Sequence, residues 1–367
     1  NLHGAIFVKL ETFALTAVAV GALLGCGGGK DQGTSAAAAT RGATAGVDLT
    51  GAGATFPYPI YSKWFSDYAQ QKGVKINYQS IGSGGGIRQL SEGTVDFGAS
   101  DAPMSDAEMA RTKGPVMHFP TVIGAVAVTY NLPGLSKPLQ LDGATLAALF
   151  DGKISKWNDP RLATLNPGVK LPATDVLVVH RSDGSGTTYI FSDYLSAVDA
   201  GWAKAPGKGK ELSWPVGLGA KGNEGVAGQV KQTPGAVGYV ELAYAKQNNL
   251  PVAALRNAAG AMVLPSIASA TAAAAGKAAS LPANTDYRIS IVNAPGQDAY
   301  PIASFTWLLV YRTQADATKG RKLRDFLHWY LQQGEHSAAS LEYAPLPQNM
   351  ITRLDARVDS IQVGQGA

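Results

Sequence analysis

The run RSDGSGTT, from Arg181 to Thr188, sets a fixed cation, a carboxylate, hydroxyls and two glycines just ahead of a predicted helix. Val176 to Val179 reads as a buried strand and Tyr189 to Leu195 has helical spacing, so the turn falls where helix N-terminal N–H groups lack partners. Those donors and the helix dipole favour an anion. Gly184 and Gly186 admit close backbone approach, Ser185 and Thr187 add hydroxyl donors, and Arg181 offers a planar fork that matches an oxyanion. Asp183, two residues on, is placed to orient that guanidinium, or else to form an ordinary Asx turn.

Three further segments share the strand, glycine turn, helix layout. In GAGATFPYP, Gly51 to Pro59, the Thr55 hydroxyl and the Thr55 and Phe56 amides precede a helix, while Pro57 and Pro59 have no N–H to give. In IGSGGGIRQL, Ile81 to Leu90, Ser83 sits among glycines that expose N–H groups as an anion nest. FGASDAP, Phe97 to Pro103, ends a strand on Asp101. One such turn is weak evidence, because glycine turns before helices are common. Four of them converge if they lie at the carboxyl ends of strands in one open α/β sheet, where such folds bind ligands.

Asp101 discriminates among anions. An ionised carboxylate only accepts hydrogen bonds, so in an anion site it requires a ligand that carries a proton. Protonated phosphate qualifies and sulfate near neutral pH does not. A site built on such a bond rejects the analogue lacking it by about 10⁴ to 10⁵. Outside such a site, a carboxylate after a strand is an N-cap or turn residue.

These turns need a scaffold, and alternating short strands and helices from Val47 onward predict α/β architecture. Predicted strands are Lys75 to Gln79, Val95 to Gly98, Val122 to Thr129, Val176 to His180, Ala236 to Val240 and Phe305 to Tyr311. Predicted helices are Pro59 to Lys72, Gly86 to Glu92, Thr145 to Phe150, Thr187 to Ala197, Asn223 to Gln232 and Ala317 to Gln333. The alanine-rich stretch Ala258 to Ala283 reads as a surface helix or a loop insertion. A length of 367 residues suggests two domains, and 46% hydrophobic content supplies two cores. The net charge of +4 is scattered, with no basic stripe, so no nucleic-acid partner is expected.

The N-terminus is a separate matter. The apolar run Phe13 to Leu24 is too short to span a bilayer and suits a signal-peptide core. It ends in Leu23-Leu24-Gly25-Cys26, which resembles a lipoprotein box in which Cys26 would be lipidated; an ordinary cleaved signal is the alternative. Cys26 is the only cysteine, so it has no disulfide partner or companion metal ligand. Residues 27–46 are rich in Gly, Ala, Ser and Thr and read as a flexible tether.

GAGATFPYPIY, IGSGGGIRQL, VDFGASDAP, FPTVIGAV, KWNDP, LNPG, RSDGSGTT and PGAVGYVE follow one another here. In this order they resemble the phosphate-binding component of bacterial high-affinity phosphate ABC transporters. The resemblance is dense from Leu49 to Tyr311 and continues more weakly through Leu341 to Pro347. It implies a two-lobed periplasmic-binding-protein fold, α/β, with a hinge and the ligand in the cleft between lobes. Residues 1–26 would be the signal peptide, 47–123 with 297–367 lobe one, and 124–296 lobe two. The implied phosphate contacts are Thr55, the Phe56 main chain, Ser83, Asp101, Arg181, Ser185, Gly186 and Thr187, with Asp183 pairing Arg181. It further implies a monomer in the periplasm or cell envelope that works with transmembrane permease subunits and an ATPase, without a cofactor or metal. The alanine-rich stretch and the lipoprotein box depart from the family's usual pattern.

Rival readings lack actors. A phosphate-ester hydrolase would need a metal or nucleophile, yet the five histidines show no ligand spacing. Ser185 is no nucleophile elbow, because Asp183 and Thr187 stand where glycines are needed. His180 neighbours Arg181 on a strand and so points to the opposite face. No enzymatic activity is expected. Binding of another oxyanion, or an adhesion role, is the remaining alternative.

Overall fold

The computed structural model describes residues 49–364 apart from 136, 279–281, 283 and 284. The signal segment, Cys26 and the tether lie outside the described residues.

The first part of the chain forms β1 (Leu49–Gly53), α1 (Tyr58–Lys72), β2 (Ile76–Ser80), α2 (Ser83–Glu92), β3 (Phe97–Ser100), the short α3 (Asp106–Met109) and β4 (Val116–Tyr130). The middle begins with β5 (Gln140–Leu141), α4 (Gly143–Phe150), α5 (Pro160–Leu165), β6 (Leu177–Arg181), α6 (Gly186–Val198) and α7 (Ala200–Lys204). It continues with β7 (Leu218–Ala220), α8 (Gly222–Gln232), β8 (Ala236–Glu241), α9 (Leu242–Gln247), β9 (Ala254–Arg256), β10 (Met262–Val263) and α10 (Ile267–Ala278). The chain closes with β11 (Ala303–Tyr311), β12 (Thr313–Gln314), α11 (Ala317–Gln332), a 3-10 helix over Gly334–Leu341, α12 (Gln348–Val358) and β13 (Gln362–Val363).

Eight strands make one sheet in the order β2-β1-β3-β11-β4-β8-β6-β7. β1 pairs parallel with β2 and β3, and β6 parallel with β7 and β8. Between these two parallel groups run β11 and then β4. Its residues Val116 to Ala125 pair antiparallel with β11, and Val126 to Tyr130 pair antiparallel with β8. Every position of β4 is buried, as expected for a strand covered on both faces.

β4 starts six residues earlier than the predicted strand because tertiary contacts tolerate His118, Pro120 and Thr121. The His118 ring accepts the Met104 amide at 3.1 Å and meets Asp286 at 3.0 Å. Pro120, which has no N–H for a ladder, sits where the register to β11 shifts between Thr306 and Trp307. The other predicted elements appear with ends moved by a few residues. The alanine-rich stretch holds α10, a surface helix as expected: Ala270, Ala273 and Ala274 are buried and α10 packs on β4 and β11, while Ala268, Thr271, Ala275 and Gly276 stay exposed. Small side chains let a helix lie close against a sheet.

On one side of the sheet the core is aromatic. Trp64 of α1 stacks on Tyr330 of α11 with ring centres 5.3 Å apart, and Phe65, Tyr68, Phe326 and Trp329 extend the layer. Further along the sheet, Phe191 of α6 stacks on Tyr239 of β8 at 4.3 Å. These layers fix α1 and α6, and so fix the turns that precede them. Among the described residues no helix is long and apolar enough to cross a membrane.

Candidate functional site

β6 ends on Arg181 and α6 begins at Gly186, with the Ser185 hydroxyl accepting the Thr188 amide at 3.0 Å as N-cap. The amides of Gly186 and Thr187 belong to the first turn, which a helix leaves unbonded. The Arg181 side chain is buried. Its Nε donates to Asp183 Oδ1 at 2.7 Å, a second nitrogen to Oδ2, and a third to Thr187 Oγ1 at 3.3 Å. Asp183 also accepts the Gly222 amide at 3.1 Å. Burial opposes its ionised form, but Arg181 outweighs that and holds the carboxyl below its ordinary range.

α2 begins at Ser83, not at Gly86, so the glycine run forms the first turn of the helix instead of a loop before it. Ser83 Oγ accepts the Asp101 amide at 3.1 Å and lies 3.5 Å from Asp101 Oδ2. Thr306 of β11 donates to Asp101 Oδ1 at 2.8 Å. Ahead of α1, the carbonyls of Thr55 and Phe56 are fixed by the hydroxyls of Tyr244 and Tyr343, each at 2.6 Å.

The four turns meet. The Gly84 amide donates to the Gly184 carbonyl at 2.8 Å. A side chain at Gly186 would put its Cβ 2.4 Å from Ser83 Oγ and 2.5 Å from Asp101 Oδ2, so only glycine lets the first turn of α6 come this close. Asn223, at the start of α8, bridges the groups: its Nδ2 donates to Thr55 Oγ1 at 2.7 Å and to Thr187 Oγ1 at 3.1 Å, and its Oδ1 accepts the Glu241 amide at 2.9 Å. Thr55, Phe56, Ser83, Asp101, Arg181, Ser185, Gly186 and Thr187 are thus all buried around one point.

Burial also changes the expected charge of Asp101. Loss of water raises its carboxyl to about 7, although hydrogen bonds from Thr306 and Ser83 and the charge of Arg181 pull the other way. Sequence reasoning treated Asp101 as simply ionised; in this closed arrangement it titrates near neutrality.

Asn223, Thr306, Tyr239, Tyr244 and Tyr343 were missed. Asn223 opens a predicted helix after Gly222, which makes KGNEG a fifth glycine turn, and Thr306 is a polar residue inside an apolar strand, so both left a signal. Tyr239 takes the Arg181 amide at 3.2 Å and pairs with Thr188 at 2.6 Å, and nothing local marks it. His180 turns away, stacking on Trp214 with ring centres 4.7 Å apart. Among the described residues no group of three or more His, Cys, Asp or Glu side chains could hold a metal.

An α/β sheet whose two parallel groups present helix N-termini, hydroxyls and an arginine to one buried point defines a solute-binding protein for a small oxyanion. The PBP superfamily domain model matches residues 33–333. The phosphate-binding protein PstS of Xylella fastidiosa strain Temecula1 is 46% identical over 314 residues, 85% of each chain. That of Pasteurella multocida is 45% identical over 84% of this chain and 89% of its own. In fold, the chain is similar to a high-affinity periplasmic phosphate-binding protein solved with phosphate, at a TM-score of 0.70, 23% identity and 84% and 93% coverage. The phosphate-binding protein of Stenotrophomonas maltophilia gives 0.65 at 19% identity, covering 85% and 94%. The chain belongs to the PstS family of phosphate-binding proteins.

Proposed function

We propose that this protein binds inorganic phosphate with high affinity and delivers it to the permease of an ABC importer, with ATP hydrolysis on a separate subunit. The ligand would lie between a lobe of residues 47–123 with 297–367 and a lobe of 124–296, hinged where the partner of β4 changes from β11 to β8. Thr55, Phe56, Ser83 and Asp101 would hold it from the first lobe, and Arg181, Ser185, Gly186 and Thr187 from the second. Closure makes the site whole. Micromolar binding needs about 8 kcal/mol, which eight or so charge-assisted bonds at roughly 1.5 kcal/mol each must supply after ordering and desolvation costs are subtracted.

The observation that carries this reading is Asp101, a fully buried carboxyl against the first turns of α2 and α6. Beside phosphate, Asp101 and the ligand share a titratable proton: the carboxylate accepts it from the more protonated anion. Above neutral pH, where Asp101 is ionised, sulfate brings no proton and leaves two negative groups in contact. Titration calorimetry of ligand-stripped protein at pH 8 with phosphate and then sulfate tests this; tight one-to-one phosphate binding without sulfate heat is expected, and no phosphate heat from folded protein rejects it. The lipid anchor at Cys26 and a station in the periplasm or cell envelope belong to the same reading, supported by the lipoprotein-box spacing.

A further inference from the structure

Lys210 makes two contacts that reach opposite sides of the cleft. Its main-chain carbonyl accepts the Ser185 amide at 2.9 Å, so it sets the N-cap of α6 and the turn that follows Arg181. Its ammonium meets Glu108 Oε1 at 2.6 Å. Glu108 lies in α3, a few residues after Asp101, and its other oxygen accepts the Ser105 amide at 2.9 Å in a capping box. Glu108 is therefore held twice: by its own helix and by the opposite lobe. Burial opposes its ionised form, but the bonds from Lys210 and Ser105 lower its pKa.

Neighbouring ion pairs show why this one matters. Arg288 and Asp106 lie 2.7 Å apart nearby, yet the Asp106 side chain is 91% exposed, and such a pair is worth little. The Lys210 and Glu108 side chains are only 19% and 24% exposed, and they line the wall of a groove of about 640 Å³ with Met104, Arg111, Tyr189 and Arg288. Water reaches the pair enough for salt to screen it, but not enough to cancel it.

We propose that Lys210 is a positioning residue that latches the closed cleft: its ion pair with Glu108 ties the Asp101 loop to the Ser185 turn and slows release of the bound anion. This rests on the phosphate-binding reading above. The pair forms only as the lobes meet, so it acts on dissociation and leaves association unchanged.

The test is a chase of radiolabelled phosphate from the intact protein, with association rates measured alongside. The variants are Lys210→Met, Glu108→Gln, their double and the charge swap Glu108→Lys with Lys210→Glu. Gln keeps the capping box with Ser105. Each single substitution is expected to speed release about fivefold, the double no more than either single, and the swap to restore slow release. Raising salt should speed release from the wild type and not from the variants. Unchanged release in both single variants overturns the latch, as does slower association in Lys210→Met with normal release in Glu108→Gln, which would make Lys210 a steering charge. A wild type that fails to bind phosphate overturns the reading of the site and the latch together.

Discussion

At the scale of single residues, Asp101 carries a stability cost that the proposed function sets against selectivity for a protonated anion. Its carboxyl is raised from an ordinary value of 3.8 to about 7, so between those values the closed folded chain keeps a proton that the unfolded chain gives up. Stability from this group is therefore greatest at low pH, falls as pH rises through that window and is lowest above it. Asp101→Asn removes the penalty: the variant's melting temperature without ligand should exceed that of the wild type at pH 8, and the gain should vanish near pH 4. The upper bound is about 4 kcal/mol, reduced by any opening of the cleft that rehydrates the carboxyl. The same variant should bind sulfate, because the amide donates where the carboxylate repels. Arg181→Lys keeps the charge but loses the fork that Asp183 and Thr187 orient. Phosphate affinity should fall about 10- to 100-fold by calorimetry.

At the scale of elements, the site depends on how closely two helix N-termini approach. Gly186→Ala would place a methyl group within 2.6 Å of Ser83 and Asp101 side-chain atoms, so the first turns of α2 and α6 must separate. Overpacking of this kind costs about 1–3 kcal/mol and falls on the closed state alone. Phosphate affinity should drop about 10- to 100-fold while the melting temperature without ligand stays near wild type, since opening relieves the clash. Solution scattering at saturating phosphate should then show a more open particle; an unchanged affinity would argue against the close approach. The element boundaries tell a related story. Ser185 and Gly186 were readable as a cap and helix start because capping chemistry is local. The start of α2 at Ser83 was not, because glycine has poor helix propensity and only packing against β1 and β3 turns that run into a helix.

For the whole molecule, β4 pairs along its first part with β11 and along its last part with β8, so it runs from the side of one parallel group to the other, which suits a hinge. A ligand bound only by the folded, closed form should stabilise the whole chain by mass action. At a phosphate concentration about a thousandfold above Kd this is worth about 4 kcal/mol, so the melting temperature should rise by several degrees with phosphate and stay put with equal sulfate. Scanning calorimetry with each anion checks it. Lobes that unfold separately, with only one responding, would contradict a ligand held by both.

The amino-acid sequence by itself determined the α/β alternation, the positions of the turns and the chemistry of an oxyanion cradle. Each depends on residues within one strand, one turn and the start of one helix, so spacing and residue type suffice to read it. Tertiary structure alone decided which distant groups complete that cradle: Asn223 reaches Thr55 across 168 residues, and Thr306 reaches Asp101 across 205. It also decided the protonation of Asp101 and which face of α10 is covered. Those depend on how the sheet order brings far parts of the chain together and how much water is left between them, and neither quantity is local to any stretch of sequence.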